Sequence, residues 1–371
     1  MIRQPSRRAK IGQWLLLLAI VAGGWLIVEN VSENLARKNL HFGFGFLEQQ
    51  SHFDIPFHLI SWTVFNTYGR ALLVSLLNTV LVSALAIVTA SLLGLLVGVM
   101  RLSVNWLVRN IALCYIEFVR NTPQLVQIIF WYVGVLQALP SPRQSIVFPG
   151  GILLNIRGLY IPDAVMNPGL EWLSWLALAL VVATPFVWRL RVRGERIGSK
   201  ALLLPLLAVA CFAAGVDQVV YPELKGFNLA GGTQVPPELV ALWMGIAIYA
   251  SAFIAEIVRG SIEAIPKGQH EAALSIGLHS WQRLVLVILP QALRIMVPQM
   301  TSQYLNIIKS SSLGAAIAYP EVFAIFTGTV LNQANKEIET ILIVVAIFVT
   351  LNLLTSMMMN WYNRRVALVE R

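Results

Sequence analysis

One short stretch, GQHEAALSIGLHSW at 268–281, carries the most distinctive polar pattern in the chain. It is too short and too polar to cross a bilayer, yet it stands between two long apolar segments. Pro266 suits the start of a short helix, and Gly277 suits its end. Ala272 and Ala273 stand side by side without bulk, so a partner surface could approach them closely. The pattern therefore favours a docking helix, with a plain linker helix at the membrane surface as the alternative.

Polar side chains inside apolar segments form a second candidate site. Such residues are costly at membrane depth and are functional by default. Pro290 and Pro298 interrupt the segment that leads to Lys309, and a broken helix at depth frees backbone groups that bind an ammonium or a carboxylate. The alternative is that these polar groups only tie helices together. The residues predicted to lie along a substrate path are Glu256, Gln303, Asn306, Lys309 and Ser311.

The sequence shows no catalytic constellation. The five histidines are scattered without an HExxH spacing, and Cys114 and Cys211 have no metal-binding spacing. The stretch GERIGSK at 194–200 lacks the spacing of a phosphate loop. We therefore predict a protein that is not an enzyme, holds no metal or other cofactor and has no ATPase motif of its own.

The composition is typical of a polytopic membrane protein. Hydrophobic residues make up 57% of the 371 residues, charged residues 12%, and the mean hydropathy is +0.71. A soluble chain carries about 25% charged residues. The net charge of +9 does not come from a basic run interleaved with aromatic residues. Lipid is therefore a predicted partner, and nucleic acid is not.

Apolar stretches long enough to span a bilayer recur along the chain. Lysine and arginine concentrate in the segments that are cytoplasmic if both termini are inside the cell. The first stretch is interpreted as an uncleaved span, because no polar mature start follows it. We thus predict an all-α, multi-pass fold with eight spans, at about 11–28, 71–100, 112–139, 171–188, 201–221, 238–258, 284–308 and 338–361.

The stretch at 268–281 resembles the EAA loop of permease subunits of ATP-binding-cassette (ABC) importers. The family pattern stands here as Glu271-Ala272-Ala273, then Gly277, then Ile288-Leu289-Pro290. In that family the short helix docks on a cytoplasmic ATPase subunit and transmits its movement. The resemblance implies that the coupling residues are Gly268, Gln269, Glu271, Ala272, Ala273 and Gly277.

Three further stretches resemble the polar amino-acid branch of that family: YIEFVRNTPQLVQIIFWYVG at 115–134, FIAEIVRGSIEAIPKGQHEAA at 253–273 and SQYLNIIKSSSLGAAIA at 302–318. The sequence departs from the family pattern at Asn121, Ser310 and Ser311. The first span and the hairpin at 171–221 lie outside these stretches, and we interpret them as additions to a five-helix core. Such additions resemble those of the larger permeases of general L-amino-acid importers. The resulting division is 1–70 for the first span and an aromatic loop, 71–139 for the first part of the core, 140–237 for outer loops and the hairpin, and 238–371 for the second part of the core.

The resemblance implies a permease subunit that translocates amino acids across the bacterial inner membrane by alternating access. It implies four kinds of partner: a second permease subunit in a heterodimer, two cytoplasmic ATPase subunits that bind ATP and Mg, a periplasmic amino-acid-binding protein, and the amino-acid substrate. A zwitterionic substrate needs a place for each charge, and we expect Glu256 to meet the ammonium and Lys309 or the serine hydroxyls to meet the carboxylate.

A secondary transporter driven by an ion gradient is the alternative function. Such proteins show inverted repeats with broken helices or paired carboxylates in both halves. The sequence shows no such symmetry, and this class leaves the EAA pattern unexplained.

Overall fold

The computed structural model describes residues 7–37, 42–170, 172–188, 191–192, 195–196, 203–226 and 228–366, and these are predominantly helical, as predicted. The helices are α1 Arg7–Arg37, α2 Tyr68–Arg101, α3 Trp106–Asn121, α4 Gln124–Ile129, α5 Trp172–Trp188, α6 Leu203–Gly215, α7 Pro237–Glu263, α8 Lys267–Ser275, α9 Ser280–Arg283, α10 Leu289–Ser310, α11 Leu331–Ala334 and α12 Glu337–Val366. Short π-helical and 3-10 turns occupy Gly45–Glu48, Phe130–Leu136, Pro142–Gln144, Leu284–Ile288, Ser311–Ile317 and Ala324–Val330.

Four helices of the described residues are long and apolar enough to cross a membrane: Tyr68–Arg101, Pro237–Glu263, Ser280–Ile317 and Glu337–Arg364. They coincide with the predicted spans at 71–100, 238–258, 284–308 and 338–361. Shorter apolar helices occupy the other four predicted positions. The total of eight crossings stays a prediction.

The third predicted span, 112–139, is two helices rather than one. Helices α3 and α4 meet at Thr122 and Pro123, where Thr122 is extended with φ −99° and ψ 126°. The residue before a proline avoids the helical region, which explains the break. The buried Gln127 side chain donates hydrogen bonds to the carbonyls of Val119 and Thr122 at 2.9 and 3.1 Å and so satisfies acceptors that the break exposes.

The inserted hairpin consists of α5 and α6, but α6 ends at Gly215, short of the predicted 221. Residues Val216–Val220 form a strand instead, because three of the five residues are β-branched valines, which favour an extended backbone. This strand pairs with Asp163–Met166, which leads into α5. A two-stranded ribbon therefore carries the helical hairpin, and the turn at 189–200 lies largely outside the described residues.

Short strands cover one end of the bundle, where the sequence predicts ordered loops. They are β1 Ile146–Phe148, β2 Ile152–Asn155, β3 Gly158–Ile161, β4 Asp163–Met166, β7 Val216–Val220, β8 Glu223–Lys225, β9 Asn228–Ala230 and β10 Thr233–Val235. The two remaining strands, β5 Arg191–Val192 and β6 Glu195–Arg196, pair with each other in the turn between α5 and α6. An antiparallel sheet has the order β1-β2-β3-β10, and β10 leads into α7 through Pro236. We call this end, where α2 and α7 begin, the sheet end, and the opposite end, where α8 lies, the linker end.

Helices α2 and α7 run in the same direction and form the centre of the bundle. A Cβ atom added at Gly94 would lie 2.4 Å from a methyl carbon of Ile254, so only glycine allows this approach. Trp243 donates a hydrogen bond to Thr89 at 3.0 Å across the same interface. Small residues and interhelical hydrogen bonds are the usual means by which helices associate in lipid.

The aromatic segment at 42–67 folds back onto the sheet end. Phe46, Ile55 and Trp62 are buried against the start of α2. Arg70, in the first turn of α2, donates hydrogen bonds from its guanidinium to the carbonyl of Ser61 at 2.7 and 3.0 Å. The segment is therefore an ordered cover of the bundle.

Candidate functional site

Helix α8 begins directly after Pro266, as predicted, and ends in a closed cap at Gly277. The Gly277 N–H donates to the carbonyl of Leu274 at 2.9 Å, and the Leu278 N–H donates to that of Ala273 at 3.1 Å. This pair of bonds is a Schellman motif, which needs a left-handed residue at the position of Gly277. Its φ of +80° fits glycine, so the sequence fixes where the helix ends.

The two alanines of α8 lie on different sides of the helix. Ala273 is buried, whereas Ala272 and Glu271 are exposed. Leu274 and Ile276, with 55% and 74% of their surface exposed, lie beside them. A helix outside the apolar spans that exposes apolar side chains beside an alanine presents an interaction surface. We call Glu271, Ala272, Leu274 and Ile276 the docking face.

Of the remaining predicted coupling residues, Gln269 connects α8 to the bundle, whereas Gly268 does not. The side chain of Gln269 accepts a hydrogen bond from that of Gln291, in α10, at 3.1 Å. Gly268 is exposed, and no atom lies within 4 Å of the position that a Cβ atom would take there. The Gln269–Gln291 bond provides a direct contact through which a displacement of α8 reaches α10.

A polar cavity of about 280 Å³ lies among α4, α7 and α10. Three of the five predicted path residues line it, namely Gln303, Asn306 and Lys309, all from the second half of α10. The complete lining is Gln124, Tyr249, Ala250, Phe253, Gln303, Asn306, Ile307, Lys309 and Ser310. We call it the inner cavity.

The inner cavity combines a cation with neutral polar groups. Among the described residues that line it, Lys309 carries the formal charge, and no carboxylate contributes to the lining. Ser310 donates a hydrogen bond to Gln124 at 3.0 Å, which connects α10 to the start of α4. The guanidinium of Arg120 lies 5.2 Å from the centre of the Phe253 ring, a cation–π contact at the cavity wall. The site can bind an anionic group at Lys309 and hydrogen-bonding groups at the amides.

The other two predicted path residues do not line the inner cavity. Glu256 follows Phe253 by about one helical turn towards the linker end and accepts two hydrogen bonds from Arg259, at 2.7 and 3.1 Å. Ser311 is fully buried, and its hydroxyl donates to the carbonyl of Ile308 at 2.7 Å. Their place on a substrate path stays a prediction.

Sequence reasoning missed Gln124, Tyr249 and Phe253. The sequence does contain an indication for Gln124, because this polar residue directly follows the Thr122-Pro123 break inside an apolar segment. Tyr249 and Phe253 stand four residues apart on α7, with ring centres 5.0 Å apart. Their aromatic spacing is equally typical of a packed helix face, so the sequence carried no clear signal for them.

A buried carboxyl group lies at the sheet end, between α10 and α12. Glu321 is fully buried, and its two carboxylate oxygens accept the N–H groups of Phe323 and Ala324 at 2.8 and 2.6 Å. Burial raises the pKa of Glu321 to about 7, although these two hydrogen bonds act to lower it. The carboxyl group therefore titrates near neutral pH.

This pKa predicts a pH-dependent stability. Because the pKa of Glu321 in the folded protein exceeds its ordinary value of 4.5, the protonated carboxyl group favours the folded state. This contribution to the free energy of unfolding is fully present below about pH 4.5 and is lost as the pH rises through about 7. The loss is on the order of 3 kcal/mol. We expect the melting temperature in detergent to fall between pH 5 and pH 8, and to fall less in Glu321→Gln. An equal fall in both proteins contradicts the assignment.

The apolar helices of the bundle enclose a polar cavity, and a docking face lies at one end of the bundle. This combination is typical of the class of membrane transport subunits. Residues 201–368 match the family described as "Binding-protein-dependent transport system inner membrane component". The chain is 45% identical over 379 residues to the putative amino-acid ABC transporter permease protein YhdX of Escherichia coli, with 99% of this chain and 96% of that protein covered. The chain therefore belongs to this family of inner-membrane permease components of ABC transport systems.

Other relatives agree with this assignment. The general L-amino acid transport system permease protein AapQ of Rhizobium johnstonii is 40% identical over 378 residues, covering 99% of this chain and 94% of that protein. A solved structure titled "Crystal structure of an amino acid ABC transporter with histidines" has a TM-score of 0.50 at 20% identity, covering 80% of this chain and 95% of that chain. This likeness supports the permease fold that the sequence predicts.

Proposed function

We propose that this chain is the permease subunit through which an ABC importer carries amino acids across the bacterial inner membrane, with both termini in the cytoplasm. The observation that carries the proposal is the connection between the docking face and the inner cavity. The docking face lies on α8, α8 is bonded to α10 through Gln269 and Gln291, and α10 supplies Gln303, Asn306 and Lys309 to the inner cavity.

The proposed mechanism follows from this connection. Two cytoplasmic ATPase subunits bind ATP and Mg, close, and displace α8 through the docking face. Helix α10 runs from Leu289 to Ser310 with Pro298 inside it, so the break that the sequence predicts at Pro298 is absent. Because α10 is one helix, a displacement of its linker end also moves the residues that line the inner cavity. The cavity then opens alternately to each side of the membrane. ATP is hydrolysed on the partner subunits, and this chain supplies the path.

The chemistry of the inner cavity supports an amino-acid substrate. The ammonium of Lys309 suits the α-carboxylate, and the side-chain amides of Gln303 and Asn306 suit the α-ammonium and polar side chains through their oxygen and nitrogen atoms. Glu256 lies about one turn farther towards the cytoplasm and offers a carboxylate to the ammonium group as the substrate leaves. The names of the relatives YhdX and AapQ also refer to amino acids.

The proposed assembly contains a second permease and a periplasmic binding protein. A shorter match to YhdY, another amino-acid ABC transporter permease protein of Escherichia coli, is 38% identical over 96 residues and supports a heterodimer of related permeases. The sheet end faces the periplasm in this arrangement, because α8 and the described basic residues Arg101, Arg259 and Arg283 lie at the opposite end. The loaded binding protein docks on the sheet end.

Reconstitution distinguishes this function from the ion-coupled alternative. We expect proteoliposomes with the complete complex to accumulate labelled L-amino acids only when ATP is trapped inside and binding protein is present outside. Ionophores that collapse proton and sodium gradients should leave the initial rate unchanged, because ATP supplies the energy. Uptake by the permeases alone, driven by an imposed ion gradient, would show that the alternative is correct.

A further inference from the structure

A second cavity of about 550 Å³ lies at the sheet end, and the proposed mechanism makes no use of it. Its volume is within the range of about 300–1,000 Å³ that is typical of small-molecule sites. It contains an arginine and a glutamate together with two glutamine side chains. The lining residues that matter here are Tyr132, Gln137, Arg157, Gln234 and Glu238. We call it the outer cavity.

Arg157 is held at the outer cavity by the β2–β3 hairpin. The buried Asn155 accepts the Arg157 N–H at 2.8 Å, and Gln234 donates to the Arg157 carbonyl at 2.7 Å. The next residue, Gly158, has φ +115°, and a Cβ atom there would lie 2.2 Å from the carbonyl oxygen of Val235. The hairpin therefore fits closely onto the strand that leads into α7. One guanidinium nitrogen of Arg157 donates to Asn228, which orients the side chain.

Glu238 reaches the same cavity from the first turn of α7. One of its carboxylate oxygens accepts the hydroxyl of Tyr132 at 2.9 Å. Because Tyr132 belongs to the helical turn that continues α4, this bond fixes the carboxylate between two elements. A carboxylate has two oxygens and room for several donors, so Glu238 can also accept the N–H groups of an ammonium ion.

The outer and inner cavities are lined by the same elements of the bundle. Both are lined by the α4 segment, by α7 and by the chain at the end of α10. Tyr132 of the outer cavity follows Gln124 of the inner cavity by eight residues, or about 12 Å of helix. Buried apolar side chains occupy the interval, including Ile128, Leu242 and Ile246. The two cavities are thus consecutive positions separated by a closed apolar layer.

We propose that the outer cavity is a second amino-acid-binding site, in which Arg157 binds the α-carboxylate and Glu238 binds the α-ammonium. Opposite charges fixed on two walls of one cavity are the complement of a zwitterion, and the side chains of Gln137 and Gln234 add hydrogen-bonding groups for polar substrates. The site receives the amino acid from the binding protein and holds it until the apolar layer opens. This step rests on the proposed function.

Equilibrium binding to the complete complex in nanodiscs, without ATP or binding protein, tests the site. The probe is the labelled amino acid that binds wild type most tightly among the twenty common L-amino acids. In a Lys309→Met background, which disables the inner cavity, we expect Arg157→Gln and Glu238→Gln each to weaken binding about tenfold or more, because each removes one charged contact. The matched control is Lys225→Gln, an exposed cation of the sheet end outside the cavity.

Amino-acid derivatives in which one charged group is blocked show which residue binds the carboxylate and which binds the ammonium. The methyl ester lacks the carboxylate, so Arg157→Gln should leave its binding unchanged, and the N-acetyl derivative lacks the ammonium, so Glu238→Gln should leave its binding unchanged. Unaltered binding of the free amino acid by both variants overturns the proposal. Failure of the proposed function has a different signature, which is the absence of ATP-driven uptake in wild type.

Discussion

The Ala272→Phe permease is expected to lose most of its substrate-stimulated ATP hydrolysis while it still folds and reaches the membrane. Ala272 is exposed, whereas its neighbour Ala273 is buried, so the added ring projects from the docking face and does not disturb the bundle. Bulk forced into a packed contact costs about 1–3 kcal/mol. This corresponds to a roughly fivefold to 150-fold weaker contact with the ATPase subunit. ATP hydrolysis by the reconstituted complex, with and without loaded binding protein, measures the effect.

The same substitution at Ala264 provides the control. Ala264 is exposed at the same end of the bundle, at the C-terminus of α7, but outside the docking face. We expect Ala264→Phe to retain the stimulation of ATP hydrolysis.

Charge reversal in Glu271→Lys should reduce the stimulation, as Ala272→Phe does, because Glu271 belongs to the docking face. Stimulation that persists in both Ala272→Phe and Glu271→Lys would show that α8 is only a linker.

Helix α8 could be predicted from the sequence because its determinants are local. Pro266 sets its start, the left-handed Gly277 sets its end, and the carbonyl of Ala273 closes the cap within the same turn. Each of these effects depends on residues that are close in the chain. The sequence alone does not specify which alanine faces outward, because that depends on how α8 rests on the bundle.

The inner cavity could be predicted only in part, because three separate helices form it. The polar residues of α10 were identified individually, but the contribution of α4 depends on the break at Pro123, which the apolar run concealed. Glu256 follows Phe253 by three residues, close to the same face of α7, yet Arg259 engages its carboxylate. Periodicity identifies a helix face and does not specify which partner a side chain will meet.

The sheet end was the least predictable part. Strands β2, β3 and β10 contain only three or four residues each, which is too short for a periodic signal. Their stability depends on pairing between distant segments, such as Tyr160 with Gln234. Local propensity cannot report such contacts, because strand preference mainly reflects the packing of neighbouring strands. The outer cavity, which the β2–β3 hairpin borders, was therefore not foreseen.

Replacing Lys309 with methionine is expected to separate transport from ATP hydrolysis. Methionine retains the unbranched apolar part of the side chain and removes the cation that faces the inner cavity. Loss of a hydrogen bond to a charged group costs about 1.5–3 kcal/mol, or roughly a tenfold to hundredfold weaker interaction. Because the docking face is intact, loaded binding protein should still stimulate ATP hydrolysis. The number of amino acids imported per ATP should therefore fall about tenfold.

Two further variants test this assignment. Lys309→Arg keeps the positive charge and should restore much of the import per ATP. Lys225→Met, the same change at an exposed lysine of the sheet end, should behave as wild type. A fall in ATP stimulation that matches the fall in uptake would show that Lys309 acts on folding or coupling. Unchanged import per ATP in Lys309→Met would exclude Lys309 from the substrate path and would leave the neutral amides of Gln303 and Asn306 to contact the amino acid. The ratio of import to ATP hydrolysis thus distinguishes a residue that contacts the substrate from a residue that only connects helices.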